Sequence, residues 1–166
     1  MARVGEIDLK GAKILNRDFA GEKFGPQSRQ FSVEIEDPEL QESLLRDGVK
    51  LWYSKYTVED EPPKAYLNVN VDFRYNDVDI AAISPEGAAF VFDERNVHEL
   101  DKAWIKDSEM HILLNSYDRP GKKGVTAYCK TLVVWLMSTE EKDAIMEERG
   151  TPSNAVREKY KDIFNR

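Results

Sequence analysis

The chain has 166 residues, of which 41% are apolar and 33% charged, enough for one domain with a hydrophobic core. Its net charge of −7 argues against a protein that is basic over its whole surface and coats duplex DNA. A local basic groove is compatible with that charge, because a ligand responds to the nearby field. The single cysteine, Cys129, excludes an internal disulfide framework and a multi-cysteine zinc site.

Alternation of apolar and polar residues predicts strands along the first 137 residues. It is clearest over residues 65–74, where odd-numbered positions are apolar and even-numbered ones polar, as in a sheet covered on one side. In chain order the predicted strands are Glu6–Leu15, Phe31–Ile35, Val49–Val58, Ala65–Arg74, Ala88–Phe92, Glu109–Leu114 and Val125–Trp135. The loops are Gly21–Arg29, Glu59–Pro63 and Asp118–Gly124.

Helix signals are few before the C-terminal part of the chain. Residues 38–47 suit a short amphipathic helix that ends at Gly48, and residues 97–103 suit another short helix. Residues 138–141 match a capping box, which predicts a helix ending at Gly150 and a further helix over 151–164. We therefore predict an OB-like β-barrel over 1–137 with a helical appendage over 138–166, and a β-sandwich is the alternative.

Signals for catalysis are weak. His98 and His111 lie 13 residues apart, a spacing that does not place them on one helix face. Cys129 is expected to be a small buried apolar residue. The sequence contains no P-loop, no Gly-x-Gly-x-x-Gly and no Gly-x-Ser-x-Gly. We predict no enzyme activity, no cofactor and no bound metal; a divalent cation at an acidic cluster (59–61, 77–79 or 93–94) is the alternative.

The unusual feature is the mixture of bases and aromatic residues in 50–56, which contains three aromatics, two lysines and no acid. In an extended segment both faces would carry rings, so we expect at least one or two rings to be partly exposed. Exposed rings stack on unpaired bases of any sequence, and lysine or arginine contacts the phosphates. The competing interpretation is that Trp52 and Tyr53 belong to the core.

Two further basic segments, and the polar face of the predicted strand 65–74, extend this prediction. Residues 119–130 hold four bases and no acid, and the loop 21–29 combines bases with an aromatic ring. In an OB-like barrel such a loop borders the binding face. The predicted nucleic-acid contacts are Arg17, Lys23, Phe24, Arg29, Lys50, Trp52, Tyr53, Lys55, Tyr56, Tyr66, Arg74, Arg119, Lys122, Lys123, Tyr128 and Lys130.

Motifs over most of 1–137 resemble those of a known group of proteins. They include Ile14–Phe19, Phe31–Ile35, Asp37–Leu40, Tyr66–Val69 and Gly124–Tyr128 with Lys130. The chain resembles small phage-encoded single-stranded DNA-binding proteins with an OB-fold. The resemblance implies that it coats transient single strands during replication or recombination, in the cytoplasm of the infected cell. Single-stranded DNA and replication or recombination proteins are the implied partners.

The C-terminal residues depart from that group, whose members often end in a strongly acidic tail. Residues 157–166 are mixed in charge, so recruitment of partners by the tail is in doubt. The apolar residues of 138–166 would pack on the barrel or mediate self-association into a homo-oligomer. Neither the longest apolar run, residues 132–137, nor the first residues predict a membrane segment or a secretory signal, so we expect a cytoplasmic protein without a membrane partner.

Two other functions stay open at this point. The first is a protein-interaction module that docks on a host or phage protein, or inhibits one, through acidic residues 59–61 and the C-terminal helices. The second is a metal-dependent enzyme at an acidic cluster. A structural component of the virion is a further alternative.

Overall fold

The computed structural model describes residues 2–55, 61–74 and 77–150. Contacts divide the chain into two compact units, Met1–Leu136 and Met137–Arg166. The described strands are β1 (Ala2–Lys10), β2 (Ile14–Asp18), β3 (Arg29–Ile35), β4 (Leu51–Tyr53), β5 (Ala65–Val71), β6 (Asp79–Ile83), β7 (Ala89–Phe92), β8 (Ile105–Arg119) and β9 (Lys122–Leu136). The helices are α1 (Pro38–Arg46), α2 (Thr139–Gly150) and the 3-10 helices Pro26–Ser28 and Val97–Asp101.

The strands form one sheet whose hydrogen-bonded path runs β1-β8-β9-β5-β3-β2. Strand β4 adds to β5, while β6 lies between β9 and β7. Within the described residues β1 and β2 do not pair with each other, so the sheet is not closed into a barrel. The mainly β class is confirmed, and the prediction of a barrel is wrong.

Gly11 marks the break between the first two strands of the chain. It adopts a φ of 68°, and its N–H donates to the carbonyl of Ser108 at 2.8 Å. That conformation suits glycine and interrupts the extended chain. The predicted strand 6–15 is therefore two strands, β1 against β8 and β2 against β3.

Strand β5 confirms the alternation that the sequence predicts, since its odd-numbered residues are buried and its even-numbered ones partly exposed. Along one edge it pairs with β3 over its full length. Along the other edge its first half pairs with β4 and its second half runs parallel to β9, at Val69–Ala127 and Asn70–Tyr128. The polar face of β5 thus borders three other strands.

The long hairpin β8–β9 turns at Pro120–Gly121, between the paired residues Arg119 and Lys122. Gly121 has a φ of 80°, and proline followed by a positive-φ residue is the arrangement of a type II turn. The predicted loop 118–124 is therefore mostly strand, and both strands extend beyond the predicted bounds.

Strand β9 contains one extra residue, Lys130, because consecutive residues His111 and Ile112 of β8 face Thr131 and Cys129. Such a bulge shifts the alternation of side chains between the two faces. Before Lys130 the buried residues of β9 are odd-numbered, namely Ala127 and Cys129. After it they are even-numbered, namely Leu132 and Val134.

Three smaller differences from the sequence prediction remain. Strand β6 was not predicted, because its five residues include two alanines and its main partner, β9, is distant in the chain. Of the predicted strand 49–58 the structure describes β4 alone; residues 56–60 lie outside the described part, as does the predicted helix 151–164. The predicted short helix 97–103 is the 3-10 helix Val97–Asp101.

The two α-helices begin as predicted. The Asp37 carboxylate accepts the N–H of Glu39 at 3.0 Å, and Gly48 follows α1 with a φ of 90°. At α2, Ser138 and Glu141 form the reciprocal capping box, each backbone N–H donating to the other side chain at 3.1 Å. Neither helix is long and apolar enough to cross a lipid bilayer, and nor is any other helix in the described ranges.

The core lies on one side of the sheet and includes the stacked rings of Phe19 and Phe31, with centroids 5.4 Å apart. Cys129 is completely buried there, as predicted. Burial raises the pKa of its thiol to about 12, so the side chain is neutral and unreactive at physiological pH. The opposite side of the sheet carries the partly exposed residues, such as the even-numbered residues of β5.

Candidate nucleic-acid interface

Several aromatic residues lie on the side of the sheet that faces away from the core. Directly paired residues of neighbouring strands share a face, and Trp52 pairs with Tyr66 while Asn70 pairs with Tyr128. Tyr117 of β8 belongs to the same side, four residues from Leu113, which pairs with Tyr128. We call this surface the aromatic face; its rings are Trp52, Tyr66, Tyr117 and Tyr128.

Trp52 is 54% exposed although β4 is part of the sheet. The ammonium group of Lys50 lies over its ring, 4.2 Å from the centroid, a cation–π contact that places a positive charge on one face of the indole. Tyr53 is 50% exposed, but it pairs with the buried Ala65 and so points to the other side. The expectation that rings in this segment are partly exposed is confirmed, and the two rings point to opposite sides.

Polar side chains occupy the space between Trp52 and Tyr128. The two rings flank positions 66 and 70 of β5, which are roughly 13 Å apart at the usual rise of a strand. Between them the amide of Asn68 donates to the side-chain oxygen of Gln30 at 2.5 Å. The amide of Asn70 donates to the carbonyl of Ala127 at 3.3 Å. One N–H of each amide is therefore bound to a protein acceptor.

The carboxylates that border the aromatic face are paired with bases. Glu34, which pairs with Tyr66 across the sheet, lies 3.8 Å from the ammonium of Lys64. Asp72 at the end of β5 accepts two hydrogen bonds from the guanidinium of Arg74, at 3.1 and 3.2 Å. These pairs offset the two negative charges next to the rings, so an anionic ligand meets less repulsion than the net charge suggests.

The tip of the β8–β9 hairpin adds bases to the same side. Counting out from the turn, Arg119 and Lys122 are opposite each other and share the side of Tyr117, whereas Lys123 points to the other side. All three side chains belong to exposed residues.

Tyr117 is a residue of this face that the sequence analysis did not select. It pairs with Gly124, and a Cβ at Gly124 would lie 2.5 Å from the Tyr117 hydroxyl oxygen and 2.7 Å from its Cζ. The absence of a side chain at Gly124 therefore lets the Tyr117 ring lie across β9. The Pro-Gly turn was the available signal, because a two-residue turn at 120–121 pairs Tyr117 with Gly124.

Tyr128 links the strands to the hairpin tip. Partial burial raises the pKa of its phenol, the Asp72 carboxylate raises it further, and the Arg119 guanidinium lowers it. Tyr128 is therefore neutral at physiological pH and brings no negative charge to the face. The influence of Arg119 places this base within electrostatic reach of the ring.

The guanidinium of Arg17 is bound by main-chain groups of the protein itself. It donates to the carbonyls of Leu100 and Ala103 at 2.6 and 2.7 Å. In return the Asp101 carboxylate accepts the N–H groups of Phe19 and Ala20 at 2.7 and 3.0 Å. Burial lowers the pKa of Arg17, and Asp101 acts against that shift. We interpret Arg17 as the residue that joins β2 to the 3-10 helix at 97–101.

Arg29 also binds the protein itself. It is 8% exposed, donates to the carbonyls of Phe19 and Pro26 at 2.9 and 2.7 Å, and lies 3.3 Å from a Glu94 oxygen. Its guanidinium lies over the ring of Phe73, 5.8 Å from the centroid. These contacts hold the loop between β2 and β3 in place.

The remaining predicted contacts lie at the margins of the aromatic face or outside it. Lys23 and Phe24 are exposed in the loop between β2 and β3, and Lys55 is exposed after β4. The ammonium of Lys130 donates to the carbonyl of Asp77 at 2.7 Å. Tyr56 lies outside the described residues. A role of these residues in binding stays a prediction.

A family model described as "Putative phage ssDNA-binding domain" matches residues 1–164. The chain belongs to this family. The resemblance drawn from its motifs is therefore confirmed. No curated protein matches the chain.

Solved structures of phage proteins are similar to this chain. A C-terminal truncation of the single-stranded DNA-binding protein from bacteriophage Enc34 has 10% identity and a TM-score of 0.50, over 81% of this chain and 87% of that one. A second structure of the Enc34 protein has 8% identity and a TM-score of 0.50, over 78% and 80%. The single-stranded DNA-binding protein gp2.5 of bacteriophage T7 has 10% identity and a TM-score of 0.46, over 90% and 99%. At this identity the Enc34 structures show a shared fold.

Acidic clusters were the alternative site in the sequence. In residues 2–55, 61–74 and 77–150, no group of three or more histidine, cysteine or acidic side chains is placed to hold a metal ion. Asp93 accepts the N–H of Arg95 at 2.8 Å, and Glu94 pairs with Arg29, so both serve local structure.

Proposed function

We propose that this protein binds single-stranded DNA across the aromatic face, without reading its sequence, and supports phage DNA replication or recombination in the host cytoplasm. The open, OB-like sheet would be the platform. The observation that supports this most strongly is the position of Trp52, half exposed and in contact with Lys50, paired with Tyr66 and on the same side of the sheet as Tyr128, away from the core.

The rings explain why single strands are favoured over duplex. A base of a single strand is free to leave its neighbours and stack on Trp52 or Tyr128, and each such stack contributes about 1–3 kcal/mol. Bases in a duplex are already stacked and paired. The net charge of −7 adds a general repulsion that duplex DNA, with its higher charge density, meets more strongly.

The polar groups of the face explain why sequence is not read. Discrimination between bases needs donors and acceptors that are directed at base edges. One N–H of the Asn68 amide is instead directed at Gln30, and one N–H of the Asn70 amide at the carbonyl of Ala127. Stacking accepts every base, so the affinity should follow strand length and salt rather than sequence.

The hairpin tip and Lys50 would contact the phosphates. Arg119 and Lys122 are exposed on the side of Tyr117, beyond the last ring along β9. Phosphates of a strand whose bases stack on the face would pass these bases. Each lysine or arginine that neutralises a phosphate releases a counterion, so binding should weaken as salt rises.

A titration with fluorescently labelled oligo(dT) and a matched duplex, followed by anisotropy at two salt concentrations, tests the proposal. We expect tighter binding of the single strand and weaker binding at higher salt. Trp52→Ala should weaken binding of every single-stranded sequence about tenfold. The control is Phe90→Ala, because Phe90 is 53% exposed on β7, away from the aromatic face, and this variant should bind like the wild type.

Two results would contradict the proposal. Equal affinity for duplex and single-stranded DNA would show that stacking of unpaired bases does not determine the affinity. Unchanged affinity of Trp52→Ala, with folding confirmed by circular dichroism, would show that the DNA lies elsewhere on the protein.

A further inference from the structure

Strand β7 is an open edge of the sheet. In the described residues it pairs with β6 alone, through Ile80–Phe92, Ala81–Val91, Ala82–Phe90 and Ile83–Ala89. The N–H of Ser84 donates to the carbonyl of Ala88 at 2.8 Å, which makes 84–88 a hydrogen-bonded pair. Because such pairs alternate, the backbone groups of Ala89 and Val91 point away from β6. The edge therefore offers two N–H and two carbonyl groups to an added strand.

Within the described residues, this edge has no bulge and lacks the charged and proline residues that often protect one. Residues 88–92 contain no charge and no proline, and Phe90 and Val91 are 53% and 75% exposed. Edge strands are usually protected by lysine, proline, a bulge or a covering segment. The strand is thus suited to pairing with another extended segment.

A groove with a mixed lining, mainly apolar side chains together with Asn96 and Glu99, runs beside β7. It has a volume of about 510 Å³ and is bounded by β7, by β6 and by the segment around the 3-10 helix at 97–101. Its lining residues are Ala82, Ala89, Phe90, Val91, Phe92, Asn96, Glu99, Leu100, Ala103 and Leu136. A strand added to β7 would direct every second side chain to the side of Phe90, where the groove can hold an aliphatic or aromatic group.

The charges around the groove indicate the chemistry of the ligand. Residues 86–99 contain four carboxylates, at Glu86, Asp93, Glu94 and Glu99, against one arginine, Arg95. Glu94 pairs with Arg29, and Glu99 lines the groove itself. A second copy of β7 would bring the same acidic residues together, and DNA would be repelled. A peptide with lysine or arginine at its ends matches this surface.

We propose that β7 and the adjoining groove bind an extended peptide segment of another protein, apolar at its centre and basic at its ends, by strand addition. The site is separate from the aromatic face and would let a protein partner bind while the DNA face is occupied. It differs from the docking surfaces expected from the sequence, which were acidic residues 59–61 and the C-terminal helices.

The probe for this site is the acetylated peptide Lys-Lys-Thr-Phe-Thr-Val-Lys-Lys, which places Phe and Val on one side of a strand. Calorimetry with the full chain should detect binding. A peptide with glutamate in place of every lysine should bind at least tenfold more weakly, and so should the lysine peptide to Glu99→Lys. Binding of both peptides with equal affinity would overturn the charge argument.

The decisive variant is Val91→Pro, because it removes an N–H that points to the open edge and leaves the β6–β7 hydrogen bonds in place. It should weaken peptide binding about tenfold or more. Val91→Lys gives the same test without a change in backbone, since this side chain is 75% exposed. Leu45→Lys is the matched control, at a residue 49% exposed on α1, and should leave peptide affinity unchanged.

Other occupants would be recognised by their own results, each of which overturns the proposal. Dimers that Val91→Lys dissociates would assign β7 to a second copy of the chain. Peptide binding that appears only after removal of residues 151–166 would assign the groove to the chain's own C-terminal segment. Single-stranded DNA binding should be the same in the wild type and both Val91 variants, so failure of this proposal is distinguishable from failure of the DNA-binding proposal.

Discussion

On the aromatic face, the ammonium of Lys50 lies over an exposed tryptophan ring, whereas in the loop between β2 and β3 the guanidinium of Arg29 is buried against main-chain carbonyls. Both regions combine bases with aromatic rings in the sequence. The loop bends sharply, so its carbonyls leave the strand ladder and need donors, which Arg29 provides. The paired strands already satisfy their own backbone groups, so Lys50 and Trp52 stay available to a ligand.

The largest expected effect tests the loop. Arg29→Met should lower the free energy of unfolding by about 3 kcal/mol, because two carbonyls and Glu94 lose their partner. Urea denaturation measures this change. Arg119→Met, at an exposed residue, should keep the wild-type stability and weaken DNA binding instead. A stable Arg29→Met variant with weakened DNA binding would reverse the assigned roles.

The next effect tests the ring of Tyr128. Tyr128→Ala should weaken single-stranded DNA binding about tenfold through the lost stack, while Tyr128→Phe should stay close to the wild type. Because the pKa of the phenol is raised, the group remains neutral until the pH exceeds its ordinary value of 10.0. At still higher pH the wild type should lose more affinity than Tyr128→Phe, since a phenolate repels phosphate. Equal affinities of the Ala and Phe variants would show that stacking on residue 128 does not contribute to binding.

A smaller effect concerns the hairpin tip. Changing both Lys122 and Lys123 to alanine should make the plot of log affinity against log salt less steep by about 0.7, because Lys122 shares the side of Tyr117 and Lys123 points away from it. A reduction of about 1.4 would mean that Lys123 also neutralises a phosphate.

The matched control for the hairpin changes Lys10 and Lys13 to alanine. Lys10 pairs with Glu109, roughly 30 Å along β8 from Arg119. This control should leave the salt dependence unchanged. The same reduction in both double variants would mean that net charge, rather than the position of the bases, sets the affinity.

The smallest expected effect tests the burial of Cys129, on the core side of β9. Cys129 follows Tyr128 directly and points to the opposite side, completely buried and with its pKa raised to about 12. Iodoacetamide at pH 8 should leave the thiol unmodified in the folded protein and alkylate it in urea, as mass spectrometry would show. Rapid alkylation of the folded protein would place this part of β9 at the surface.

The sequence was most informative where local pattern decides structure. The alternation of β5, the start of α1 at Pro38 and the capping box at Ser138 each depend on neighbouring residues, and all are confirmed. The exposure of Trp52 was predictable because its segment has more rings than one buried face can hold. Features that depend on distant segments were missed, such as the open sheet and the pairing of β6 with β9.

The candidate site was harder to predict for the same reason. Whether Arg17 or Arg29 meets a carbonyl is decided by residues such as Leu100 and Pro26, which the chain brings close only after folding. Tyr117 depends on the register of the hairpin, which a count from the Pro-Gly turn would have supplied.

The extra residue in β9 has a consequence for how one strand serves two parts of the sheet. Before Lys130 the strand serves β5 and its rings, and after it the strand supports β6 and, through it, β7. Because of the bulge, odd-numbered residues of β9 are buried before Lys130 and even-numbered residues are buried after it. If the strand kept Lys130 but ran without the bulge, one half would be turned inside out, with charged or aromatic groups facing the interior. The bulge therefore lets one continuous strand direct both sets of apolar residues, Ala127 and Cys129 before it and Leu132 and Val134 after it, into the core.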